Sequence, residues 1–322
     1  DRLAQLEIQV SGKPHDGRMR AALHLRPLEL DEVGRELATL FPVLEGIARS
    51  ASGVVELAGE ARVEEAATFV VTVALRDIVA TGPLGTVSQL NGSLELTGPE
   101  PLVSPPAQLL SMALVDVGIP LADGIVTFEL QPDLVLDLAD ARWRWAGGEI
   151  RTSGRFDLDA TTQAATLQLE DLDLAELTSE IELAGLSGSG TVKGRIPIEV
   201  SEESVLIRDG VLESVGPGVL RYPRPPGSEV ENPEGMDLLR AVLEDLHFEA
   251  LELRINGDAR GAVAVEIEVL GRNPNFQEGR EVKLGVTVDA NLSDLLRSTQ
   301  ETYRIPELIQ ERLREFEARE RP

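Results

Sequence analysis

Between Gly185 and Tyr222 the chain reads GLSGSGTVKGRIPIEVSEESVLIRDGVLESVGPGVLRY, and in its clearest strand the aliphatic residues fall at every second position. Ile196, Ile198 and Val200 alternate with Arg195, Pro197 and Glu199, and Val205 and Ile207 resume the pattern after a turn. A period of two sends aliphatic side chains to one face of a pleated strand and charges to the other, which no helix can do. Glycines at 188, 190, 194, 210, 216 and 218 punctuate the stretch, so it reads as strands folded back on one another. The same alternation runs through most of the chain. It predicts a mainly β protein whose sheet has one persistently aliphatic side, and something must cover that side.

Residues 3–26 read as two strands about a turn at Gly12–Gly17. Asp31 then caps an expected helix carrying an apolar stripe through Val33, Leu37, Leu40, Leu44 and Ile47. Strands return over 53–97 and from Gly124 onward, separated by a Pro-rich break at 99–106 and a short helix expected over 107–115. A second short helix is expected near Leu174–Glu180, and a third over about 235–246 with Leu239, Val242, Leu243 and Leu246 inward. Three late strands carry Leu251, Leu253 and Ile255; Val263, Val265, Ile267 and Val269; and Leu284, Val286 and Val288. Sequential antiparallel pairing, a meander, is the simplest topology for some sixteen such strands. Three segments follow: 1–122, the first part of the sheet with an inserted amphipathic helix at 31–49; 123–299, the C-terminal sheet region; and 300–322, a C-terminal amphipathic helix.

Composition narrows the function. The 322 residues carry 30 basic and 56 acidic side chains, a formal charge of −26, which repels nucleic acid and anionic membrane faces. Cysteine is absent, which excludes disulfides, thiolate metal sites and a cysteine nucleophile. Aromatics are only 3% of the chain, so the apolar faces are hydrocarbon-like leucine, valine, isoleucine and alanine.

No catalytic constellation, metal site or cofactor is expected. Gly185-Leu186-Ser187-Gly188-Ser189 lacks the glycine spacing of a nucleophile elbow, and Gly188–Gly194 matches neither a dinucleotide fingerprint nor a P-loop. Asp157-Leu158-Asp159 and Asp171-Leu172-Asp173 could offer calcium ligands, but without an EF-hand loop they read better as turn chemistry. Trp143 and Trp145 could stack a sugar or, more simply, pack.

Two segments carry a family resemblance. One is the opening stretch, with Gly-Arg-Ile-Pro at 194–197 and Gly-Pro-Gly-Val-Leu-Arg-Tyr at 216–222. The other spans Leu270–Ser298, with Gly-Arg-Asn-Pro at 271–274 and Asn-Leu-Ser-Asp-Leu-Leu-Arg-Ser at 291–298. Together they resemble the C-terminal region of the YdbH-like proteins, relatives of the AsmA and TamB group of envelope proteins. The match is good over about 123–298 and stylistic before that. The resemblance implies a periplasmic bridge that passes phospholipids between inner and outer membranes. It also implies an inner-membrane anchor N-terminal to this chain, and a small outer-membrane lipoprotein partner joined by strand addition.

The implied fold is a long antiparallel sheet curled into a groove or taco-like trough, with helices at its ends or plugging it. A lipid tail costs about 0.8 kcal/mol per methylene in water, roughly 13 kcal/mol for a palmitoyl chain, and an aliphatic lining removes most of that. The expected lining is Ile196, Ile198, Val200, Val205, Ile207, Val263, Val265, Ile267, Val269, Leu284, Val286 and Val288. A non-catalytic scaffold whose alternation simply marks a sealed core is the competing reading.

Overall fold

The computed structural model describes residues 6–13, 18–30, 49–63, 67–82, 85–180, 186–201, 204–222 and 241–291. The expected helices at 31–49 and 300–322 lie outside these residues, apart from Arg49, whose N–H donates to the Thr81 carbonyl at 2.7 Å.

Period-two sequence becomes antiparallel ladder throughout. The strands are β1 (Leu6–Lys13), β2 (Arg18–Leu30), β3 (Ser50–Val63), β4 (Ala67–Gly82), β5 (Gly85–Gly98), β6 (Gln108–Asp116), β7 (Pro120–Gln131), β8 (Val135–Trp145), β9 (Gly148–Asp157) and β10 (Thr162–Asp173). Helix α1 (Leu174–Glu180) follows, then β11 (Ser187–Ser189), β12 (Thr191–Ser201), β13 (Val205–Ser214), β14 (Gly218–Arg221), β15 (Leu246–Asp258), β16 (Ala262–Arg272) and β17 (Glu281–Asn291). Each strand from β2 to β10 pairs antiparallel with the one before it. The chain divides into two compact units, one of residues 1–172 with 193–210, the other of residues 173–192 with 211–322.

In the first unit the ladder is repeatedly interrupted. Register shifts fall at Leu25/Leu28, Ser52/Val54, Leu75/Ile78 and Ile78/Ala80, with Gly53 and Asp77 at positive φ. The Asn91 carboxamide spans β4 and β5 there, accepting from the Asp77 N–H at 2.9 Å and donating to the Gln89 carbonyl at 2.8 Å. Beside these bulges sits a small core of Leu30, Ala51, Val55 and Ile78, with Leu28, Val73, Leu75, Ala80 and Leu90 packed against it.

In the second unit, α1 is capped by Asp173, whose carboxylate accepts from the Ala175 N–H at 2.7 Å. Leu174 and Leu177 are buried, and the buried Thr178 hydroxyl donates to the Leu174 carbonyl and accepts from the Gly188 N–H. Phe248 is buried against Gly218, where a Cβ would come within 2.3 Å of the ring. Residues 241–243 are helical, the end of the helix expected over 235–246, and Val242 and Leu246 are fully buried. Asn273 of Gly-Arg-Asn-Pro ties them down. Its amide donates to the carbonyls of Ala241 (2.9 Å) and Val242 (3.3 Å), and its carbonyl accepts from the Asn275 N–H.

Two expectations are overturned. The segment 107–115 is a strand, not a helix: Gln108–Asp116 pairs with β5 on one side and β7 on the other. So short an isolated helix is marginal, whereas a strand between two partners satisfies its backbone on both edges, and tertiary pairing overrides local propensity. The second is the curled, taco-like groove. The fold is mainly β with short helices, but the sheet is neither closed nor strongly curled. Register shifts recur along β2 to β5, buried aliphatics gather in local clusters, and many others stay half-exposed.

Candidate functional site

The twelve sequence-predicted lining residues are divided between the two compact units. Ile196, Ile198, Val200, Val205 and Ile207 belong to the first unit; Val263, Val265, Ile267, Val269, Leu284, Val286 and Val288 belong to the second.

In the second unit the register aligns them. Leu251, Val269 and Leu284 stand in one row across β15, β16 and β17. Leu253, Ile267 and Val286 form the next, and Ile255, Val265 and Val288 the third. Directly opposed residues share a face, so nine aliphatic side chains make a patch about 10 Å across and about 14 Å along the strands. The reverse face carries Glu252, Glu268, Arg254 and Glu266, with ion pairs Arg254–Glu252 at 2.7 Å and Lys283–Glu268 at 3.2 Å. Burial is graded across the patch. Leu251 and Val269 are buried, the middle row is half-buried, and Val288 is 38% exposed. Val263, paired with Gly257 and Ala290, is buried.

In the first unit, β12 and β13 form a hairpin closed by Ser201 and Ser204, whose backbones bond at 2.9 Å. All five of its predicted aliphatics are half-buried. On its other face Arg208 donates through Nε and Nη2 to both oxygens of Glu199, at 3.0 and 3.1 Å. This pair was not anticipated from sequence. It edges an open depression of about 310 Å³ lined by Ser153, Thr166, Pro197, Ile198, Glu199 and Arg208 together with two alanines.

The depression has a cause in the backbone. Strand β9 pairs with β8 from Gly148 to Asp157, but with β10 only at Glu149, Ile150 and Arg151. Beyond Arg151 the two strands separate, and Ser153 and Thr166 line the opening.

The remaining candidates resolve as structure. Asp157 accepts from the Asp159 N–H at 3.0 Å in the turn after β9, and Asp173 is the helix cap. Trp143 packs on Gly124 and Met112. Arg221 donates to Asp245 at 2.8 Å, with His247 at 3.3 Å on the other oxygen; the Arg221 hydrogen bond holds the Asp245 carboxyl below its usual range. Among the described residues no group of three or more potential metal ligands occurs, and no helix is long and apolar enough to cross a membrane.

Fold and surface define a class: an antiparallel sheet protein, a meander from β1 to β10, with aliphatic rows across β15 to β17. The chain belongs to the YdbH-like family, whose model, described as intermembrane phospholipid transport protein YdbH, matches residues 4–314. Membership therefore extends well N-terminal of the region in which the motifs are legible. No curated protein and no solved structure matches the chain. The family makes this a lipid-handling protein of the cell envelope, with phospholipid as its general partner.

Proposed function

We propose that the chain carries phospholipid acyl chains along the aliphatic face of its open sheet, without catalysis. The observation that supports this most directly is the in-register patch of β15–β17, which keeps Ile267, Val286 and Val288 at least partly open to solvent. A tail lying on one face buries about half its surface, a gain of roughly 6 kcal/mol for a palmitoyl chain. That is enough to hold the tail while leaving it free to slide, because the patch offers no deep pocket and no polar anchor along its rows. In this reading the full-length protein is periplasmic and anchored in the inner membrane by a segment N-terminal to this chain. A small outer-membrane lipoprotein adds to an exposed strand edge, using main-chain hydrogen bonds.

Native mass spectrometry of the protein purified from an envelope fraction tests the reading. Phospholipid should co-purify, and Ile267→Asp and Val286→Asp should lose it while keeping the far-UV circular dichroism of the parent. A lipid-free parent, or full lipid occupancy in both folded variants, would overturn it in favour of a plain scaffold.

A further inference from the structure

The depression between the separated ends of β9 and β10 differs chemically from the aliphatic patch. At about 310 Å³ it lies at the small end of the range of ligand sites, about 300–1,000 Å³. That suits a headgroup and not a diacyl lipid. Its distinguishing feature is the two-point Glu199–Arg208 pair, whose side chains are 40% and 62% exposed. Guanidinium has five N–H donors, and Glu199 occupies one on Nε and one on Nη2, so three remain for an anionic group. The Glu199 oxygens keep lone pairs for an ammonium, and Ser153 and Thr166 supply hydroxyls nearby.

A fixed cation beside a fixed anion is complementary to a ligand that carries both charges. The chain's formal charge of −26 acts in the same direction, disfavouring a ligand with net negative charge and leaving a net-neutral one unpenalised. The strand adds a further constraint. Ile198 and Glu199 are adjacent in β12 and belong to opposite faces, yet both line the depression. A ligand seated there meets charge on one side and hydrocarbon on the other, as an amphiphile requires.

We propose that this depression binds the headgroup of a zwitterionic phospholipid, with the phosphodiester on Arg208 and the ammonium on Glu199. The inference rests on the reading of the chain as a carrier of phospholipid and adds a headgroup preference to it. A free zwitterion such as phosphoethanolamine shares the same chemistry, and the test separates the two sources.

The full chain is titrated with dihexanoyl phosphatidylethanolamine, dihexanoyl phosphatidylglycerol and free O-phosphoethanolamine, with binding followed by isothermal calorimetry. The ethanolamine lipid should bind about fivefold or more tighter than the glycerol lipid. Arg208→Gln and Glu199→Gln should each bring the two lipids to equal affinity. Equal affinities in the parent, or an undiminished preference in either variant, would overturn the headgroup site and leave the acyl-chain reading standing. Binding of neither lipid would overturn both readings. Free phosphoethanolamine binding as tightly as the lipid would reassign the depression to a soluble zwitterion and overturn the lipid assignment. The comparison within the parent protein needs no variant, so a substitution that fails to fold does not remove the test.

Discussion

The indole of Trp143 on β8 occupies the space above Gly124 on β7: a Cβ added at Gly124 would lie 2.5 Å from the indole Nε1. Met112 on β6 closes the same spot, also within 2.5 Å. The bulge between Ala122 and Ile125 sets Gly124 off the regular ladder and makes room for the ring. Gly124→Ala should therefore destabilise the first unit by about 1–3 kcal/mol, the usual cost of overpacking. Urea denaturation followed by tryptophan fluorescence measures it, and a shift below 0.5 kcal/mol would show that the ring moves aside freely.

Asn273 is 2% exposed, and its side chain bonds the Ala241 and Val242 carbonyls and the Asn275 N–H. Asn273→Ala leaves these buried backbone groups without a partner and should cost about 1–3 kcal/mol. Asn273→Asp should cost more, because it sets a carboxylate against two carbonyl oxygens. Thermal melts of the two variants decide the order, and equal melting would contradict this account.

The Asp245 carboxyl is held below its ordinary range by the Arg221 hydrogen bond, with His247 adding to the effect. A depressed carboxyl contributes stability fully above its unfolded value, about 3.9, and loses that contribution as pH falls through the lower folded value. The partners are substantially solvated, so the contribution is at most about 1 kcal/mol. Asp245→Asn should thus melt lower than the parent at pH 6 and converge with it toward pH 3. A gap that widens on acidification would give the wrong sign.

Two positions on one sheet face, Val269 on β16 and Val288 on β17, separate lipid contact from core packing. Val269 is 5% exposed and Val288 is 38% exposed. Val269→Asp should unfold the region, since an unpaired charge is buried with it. Val288→Asp should change stability by less than about 0.5 kcal/mol, while weakening the binding of a fluorescent phospholipid several-fold. Unaltered lipid binding by Val288→Asp would confine contact to the inner rows.

Much of this protein was legible without coordinates. Alternation located the late strands residue by residue, and Leu253, Ile267 and Val286 fall in one row because register carries a period of two from strand to strand. The segment 107–115 reads as a helix because the prolines before it mimic a helix start, while its strand character depends on pairing with β5 and β7 on its two edges.

By itself the sequence determined what is local: which residues alternate, where Asp157 turns the chain, and that one strand face is hydrocarbon. Tertiary structure decided what depends on pairing. The bulges that interrupt β2 to β5 are set by neighbouring strands, not by composition, and so is a sheet that is neither closed nor strongly curled. The parting of β9 from β10, and the seating of Glu199 against Arg208 at its edge, follow from where a ladder stops. No single strand encodes the length of the ladder it will make, because each hydrogen bond in that ladder needs a partner from elsewhere in the chain.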